Sequence, residues 1–193
     1  MLRVAPIERD DLPGLIRDVA RLRIEVFRAW PYLYEGDLTY EERYLAPYLQ
    51  SPGSIVVGAW DDEVLVGAST GTPMEDHADE FAAPFADLGI DLTTVFYCAE
   101  SVLLPAYRGQ GIGSRFFEER EAQARRLSRT FMCFCAVIRP DDHPAQPDNY
   151  TPHDGFWRSR GYQPMDGVTA TFDWRDIGDD AETAKQMQFW GKS

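Results

Sequence analysis

Between Glu100 and Ser114 the chain reads Glu-Ser-Val-Leu-Leu-Pro-Ala-Tyr-Arg-Gly-Gln-Gly-Ile-Gly-Ser, the end of an apolar strand passing into a turn with glycines at 109, 111 and 113. A helix is predicted next, from Ser114 to about Leu127. Glycine reaches backbone conformations closed to other residues and, lacking a Cβ, lets a ligand approach the main chain. A turn of this kind aims several N–H groups and a helix N-terminus at one point, and such a point favours an anion. The fold must therefore set a strand end, a phosphate-sized concavity and a helix start side by side.

Two common phosphate loops do not fit. A nucleotide-hydrolysing P-loop follows its last glycine with Lys and Ser/Thr, whereas Gly113 is followed by Ser114 and Arg115. The dinucleotide fingerprint would need its third glycine at Ser114, and no clean parallel strand with a ribose-binding acid follows. What remains is Arg108-x-x-Gly111-x-Gly113 directly behind Val102-Leu103-Leu104-Pro105. This arrangement resembles motif A of the GNAT superfamily of N-acetyltransferases, whose loop holds the pyrophosphate of acetyl-CoA. The plain alternative is a glycine turn that only joins a strand to a helix.

The rest of the chain agrees with that resemblance in element order. Leu2 to Ile7 reads as a strand, and Asp10 or Asp11 before Pro13 starts a helix carrying an apolar stripe to Phe27. After the aromatic and acidic stretch Trp30 to Asp37 a second helix covers Tyr40 to Leu49. Ser54–Trp60 and Val64–Ser69 read as a hairpin across Asp61-Asp62-Glu63. Thr72 to Thr94 reads as an acidic excursion with Phe81, Phe85 and Leu88 at helical spacing. Val95 to Leu104 is the fourth strand and Thr130 to Val137 the fifth. A Pro/Asp-rich loop leads to a short helix from His153 to Arg160, stopped by Gly161. Val168 to Trp174 is another strand, and Thr183 to Trp190 is open between a last strand and an irregular tail. The helix after the glycine turn is expected to bury Phe116, Phe117 and Ala124, with Glu118 to Glu121 mostly outward. The expected fold class is α/β (α+β): the GNAT fold, a central mixed and largely antiparallel sheet flanked by helices, with splayed fourth and fifth strands, in a single domain over residues 1–193.

Composition narrows the partners. The net charge of −13 argues against nucleic-acid binding through a broad basic face and is compatible with a cationic substrate. No apolar run has the length of a membrane span, and Met1-Leu2-Arg3-Val4 lacks the apolar segment of a signal peptide, so a cytoplasmic protein is expected. Cys98, Cys133 and Cys135 fall in apolar runs without a Cys-x-x-Cys pair or a histidine cluster. They read as buried thiols, and no metal is expected.

The resemblance implies a set of roles. The backbone of Val102, Leu103 and Leu104 would pair with the pantetheine arm of acetyl-CoA, and Arg108, Gly109, Gln110, Gly111, Ile112, Gly113 and Ser114 would hold its pyrophosphate. Asn149 resembles the asparagine that bonds the arm; it also reads as a turn former after Asp148. Acetyl transfer needs a neutral amine, and removing the proton of an alkylamine of pKa about 10.4 at pH 7 costs on the order of 4 to 5 kcal/mol. Glu100 stands just ahead of the thioester-binding positions as the candidate base; a surface ion pair is the other reading. Tyr97 lines the same cleft only if the strand bulges, because period-two alternation otherwise sends it to the opposite face. Trp30, Tyr32 and Tyr34 suit a grip on a small polar or cationic molecule, or else a seal on the core edge. In many family members a tyrosine four residues before Gly-Phe protonates the leaving thiolate. Here Trp157 occupies that position in Phe156-Trp157-Arg158-Ser159-Arg160-Gly161-Tyr162, so Tyr150, Tyr162 or water takes over, or the thiolate leaves unprotonated.

The expected function is transfer of the acetyl group of acetyl-CoA to a primary amine, on a small molecule or a peptide, by direct attack. Trp157 leaves room for a CoA-binding sensor without turnover, and an enzyme acting on proteins or with longer acyl chains is a further alternative. The resemblance is also compatible with a homodimer.

Overall fold

The computed structural model describes residues 1–77, 83–86 and 88–193. Its eight strands are β1 (Leu2–Pro6), β2 (Ile55–Asp61), β3 (Val64–Pro73), β4 (Val95–Tyr97), β5 (Ser101–Leu103), β6 (Phe131–Val137), β7 (Gln163–Trp174) and β8 (Thr183–Lys192). The helices are α1 (Leu12–Phe27), α2 (Leu38–Gln50), α3 (Ala83–Ala86), α4 (Ile112–Arg126) and α5 (Asp154–Ser159). The strands form one mixed sheet in the order β1-β2-β3-β4-β6-β8-β7, with β5 paired to β3. Every pairing is antiparallel except β4 with β6.

Period-two alternation divides β2 between two cores. Val57 turns to the layer beneath α4, with Phe96, Phe116, Phe117 and Phe134, while Val56 turns to the layer beneath α1 and α2, with Val19, Leu45, Tyr48 and Val102. A third cluster joins Tyr97, Cys133, Cys135 and Phe189 to Met74 and Phe85. Helices thus cover both faces of the sheet. Among the described residues no helix is long and apolar enough to cross a membrane.

The structure corrects three sequence-based expectations and decides a fourth that was open. The predicted fourth strand is two strands, because Cys98–Glu100 breaks the ladder. The segment left open from Thr183 is β8, the strand between β6 and β7. Its inward set is Lys185, Met187 and Phe189, and the lysine hides the apolar alternation; its Nζ is satisfied by the Trp174 and Thr183 carbonyls at 2.7 and 3.0 Å. On α4, which begins at Ile112 rather than Ser114, Arg120 and Glu121 are buried instead of outward. In the acidic excursion Phe85 packs edge-on to Phe189 with ring centroids 4.9 Å apart, whereas Leu88 is exposed and Phe81 lies outside the described residues.

Candidate active site

The break between β4 and β5 creates the site. Parallel pairing of β4 with β6 ends where the Cys98 N–H donates to the Cys133 carbonyl at 2.7 Å. Beyond it β5 pairs only with β3, so the two strands part. Thr72 faces Tyr97 but Ser69 faces Ser101, so three steps along β3 are matched by four along the β4–β5 segment. One residue is extra, which is a bulge. It reverses the alternation and brings Tyr97 and Glu100 to the wall of the same cavity. Arg120 holds the break from the α4 side, donating from Nη1 to the carbonyls of Glu100 at 3.1 Å and Thr70 at 3.4 Å.

The opened edge belongs to alternate residues of β5. The Leu104 N–H donates to Val66 at 3.0 Å and the Glu100 carbonyl accepts from Thr70 at 3.1 Å. In an antiparallel ladder these even positions, with Val102 between them, face β3, so the backbone groups of Ser101 and Leu103 face the gap toward β6. Of the three expected pantetheine positions, only Leu103 aims its main chain there. Its carbonyl accepts from Arg108 Nε at 3.3 Å.

The glycine turn follows at once. Gly109 and Gly111 adopt φ of +76° and +80°, and no atom lies within 4 Å of where a Cβ would be at either, so the concavity is open. The first helical bond of the turn runs from the Arg115 N–H to the Gly111 carbonyl, and no side chain caps α4. The N–H groups of Ile112, Gly113 and Ser114 therefore point out of the helix end without partners, which suits an anion. These amides and the free edge of β5 fit a diphosphate followed by an amide-containing arm. His153, exposed at the start of α5, is held below the ordinary histidine range by partial desolvation and then by the Arg108 charge. Asn149 is exposed on the same loop.

On the other side of the break lies a cavity of about 400 Å³. Its buried end carries a charge triad. Arg23 Nη1 sits 2.7 Å from Glu100 Oε1, and Arg23 Nε donates to Glu41 Oε2. Glu41 is fully buried and Glu100 is 8% exposed. Tyr97 packs beside them with its hydroxyl 3.2 Å from Cys135 Sγ. Burial, then the neighbouring thiol, raises the Tyr97 pKa; burial pushes Cys135 up to about 12. Both stay protonated at neutral pH.

The aromatic loop after α1 forms one wall because the β7–β8 hairpin holds it. Arg139 Nε donates to the Pro31 carbonyl at 2.8 Å and Nη2 to that of Tyr32 at 2.6 Å, while the guanidinium pairs with Asp176 at 2.7 and 2.9 Å. The Glu35 N–H donates to Arg175 and the Ile177 N–H to Leu33, at 2.9 and 2.7 Å. Tyr32 and Tyr34 line the cavity, and Tyr32 also stacks on Trp174 at 6.0 Å, so it serves both as wall and as seal. Trp30 is not among the lining residues; it packs against His143 and Tyr150, at 5.0 and 5.9 Å. Tyr150 likewise stands outside the cavity lining. Tyr162 is fully buried in the core, donating to Glu121 at 3.4 Å. Trp157 packs on Phe134 and Trp190. Among the described residues no group of three or more His, Cys, Asp or Glu could hold a metal ion.

Sequence reasoning did not find Arg23, Glu41, Tyr44, Arg120 or the hairpin residues. One signal was available for Arg23, which interrupts the apolar stripe of Val19, Leu22 and Val26 on the buried face of α1.

Residues 20–147 match the acetyltransferase (GNAT) family. The chain belongs to that family. The matched span includes the glycine turn, the bulge and the open edge of β5, so the GNAT chemistry, acetyl transfer dependent on acetyl-CoA, falls on the geometry just described. A comparison with curated sequences returns no match. Among solved structures, this GNAT enzyme is similar to ribosomal-protein-alanine N-acetyltransferase from Brucella melitensis, with a TM-score of 0.60, 16% identity and 98% of each chain covered. It is also similar to an N-acetyltransferase from Staphylococcus aureus, with a TM-score of 0.59, 9% identity, and 99% of this chain and 97% of that one covered. A third similar structure is PaiA N-acetyltransferase from Thermoplasma acidophilum in complex with coenzyme A, with a TM-score of 0.56, 14% identity, and 100% and 99% covered. At these identities the likeness speaks for the fold.

Proposed function

We propose that this enzyme acetylates a primary amine that enters the cavity beside Glu100 and attacks acetyl-CoA directly. The observation that carries the reading is the bulge, which turns the buried Glu100 carboxylate to the cavity wall immediately before the open edge of β5. The amides of Gly109–Ser114 and the side chain of Arg108 would hold the diphosphate, and the main chain of Leu103 the arm, with Asn149 near enough in sequence to α5 to assist. Acetyl-CoA supplies an activated acyl carbon when bound.

The chain's own residues then handle the amine. Tyr32, Tyr34 and Tyr97 enclose it, and Glu100 accepts its proton, directly or through water. Arg23 stands 2.7 Å from Glu100 and supplies the opposite charge that a buried carboxylate needs. The departing thiolate is weakly basic, with a pKa near 8.5, so its protonation by Tyr150 or by water is an undemanding step. Tyr162 is unsuited to that role because its hydroxyl is buried in the core.

The test is release of CoA thiol from acetyl-CoA across a panel of amines, with mass spectrometry of the products. Thiol release matched by one acetyl group per amine supports the reading. Binding of acetyl-CoA with no thiol released by any small amine or peptide contradicts it.

A further inference from the structure

We infer that the acceptor is a small aliphatic oligoamine, a diamine or triamine, whose reacting nitrogen is taken up at Glu100 while a second ammonium is held by carboxylates at the cavity rim. This inference rests on the acetyltransferase reading above. Seven carboxylates among the described residues line the cavity, against two guanidiniums, Arg23 and Arg175. Arg23 is already shared between Glu41 and Glu100, so two carboxylates face one guanidinium at the buried end. Glu41 Oε1 is buried and makes no hydrogen bond of good geometry, with the Tyr34 hydroxyl as its neighbour on the cavity wall. A buried acceptor so weakly served favours a further donor.

The order of chemistry along the cavity matches such a molecule. Glu41 and Glu100 are buried, the aromatic walls Tyr32, Tyr44, Phe172 and Trp174 are half-buried, and Asp173, Asp180 and Glu182 are exposed on the β7–β8 hairpin. Charge, apolar stretch, charge is the pattern of a methylene chain carrying an ammonium at each end. None of the three hairpin acids has an ion-pair partner among the described residues, whereas Glu35 is neutralised by Arg28 at 3.1 Å. Aromatic faces add attraction for a cation held between them. The one exposed guanidinium, Arg175, leaves an acidic acceptor opposed by a large excess of like charge.

The reaction balances without any further reagent. The reacting ammonium gives one proton to Glu100 and from there to solvent; the neutral nitrogen forms the N–C bond as the C–S bond breaks, and the second proton lost from nitrogen ends on the sulfur. The distal ammonium stays charged throughout and keeps its contacts with the rim.

The experiment compares kcat/KM for a diaminobutane, an aminobutanol and butylamine, with thiol release as readout, at low and high salt. The diamine is expected to lead butylamine by about tenfold or more at low salt, with the lead shrinking as salt screens the exposed acids. In the Asp180→Asn/Glu182→Gln double variant, where both positions are exposed and the fold is not at stake, the same ratio should narrow. Equal efficiency of the diamine and butylamine, or a peptide amine acetylated better than any diamine, overturns the inference while leaving the acetyltransferase reading intact. No acetylation of any amine overturns both.

Discussion

Arg23 Nη1 lies 2.7 Å from Glu100 Oε1, and the same guanidinium reaches Glu41, so two buried carboxylates share one cation. Removing one partner of a buried ion pair costs about 3–5 kcal/mol because the remaining charge is left uncompensated. Arg23→Met should lower stability by about that amount at pH 7.5, and adding Glu100→Gln to it should recover part of the loss, because one uncompensated buried charge is then gone. Urea unfolding of the single and double variants checks this. An equal loss in both would mean that Arg23 matters for packing and not for charge.

Glu100→Gln removes the proposed base but keeps the shape. The rate should fall about 10²-fold at pH 7. The deficit should widen as pH falls, because the variant depends on the free-amine fraction, which drops tenfold per pH unit below the amine pKa. A constant ratio of variant to wild type across the pH range would remove Glu100 from that role.

Gly111 holds φ of +80° at the start of α4, a conformation that a β-branched side chain adopts only under strain. Gly111→Val should cost about 1–3 kcal/mol in stability and abolish the rise in melting temperature given by CoA. Differential scanning with and without CoA separates the two effects. An undiminished CoA shift would place the diphosphate elsewhere.

Asp176 ties the aromatic loop to the hairpin. Burial alone would raise its pKa, but Arg139 and then Lys185 hold it below the ordinary carboxylate range. A depressed carboxylate adds stability above its unfolded pKa, about 3.9, and loses it as pH falls through the lower folded value. Asp176→Asn should therefore be less stable than wild type at pH 7, by about 3 kcal/mol, with the gap narrowing as pH falls below about 3.9. Its KM for amine should also rise, because Tyr32 and Tyr34 lose their anchor. A normal KM would show that the loop is positioned by its other contacts.

The glycine turn was legible in the sequence because its chemistry is local: φ at Gly109 and Gly111, the helix start and the preceding strand are set within one stretch of chain. Glu100 was legible by its distance from that turn. The triad was not, since Arg23 and Glu41 meet Glu100 only after α1 and α2 pack on the sheet. The bulge depends on comparing register across two partners of β3, which no single segment carries. Lys185 masked β8 because a buried lysine breaks the apolar pattern, and its compensation by the Trp174 and Thr183 carbonyls is tertiary. Arg120 was read as outward for the same reason: the carbonyls it satisfies belong to other strands.

The structure of the protein crystallised with acetyl-CoA tests the central claim most directly. The account predicts the diphosphate on the amides of residues 109–114, the arm along the free edge of β5, and the thioester at the Tyr97 and Glu100 end of the cavity. A diphosphate bound away from the glycine turn, or a thioester facing away from Glu100, would contradict it.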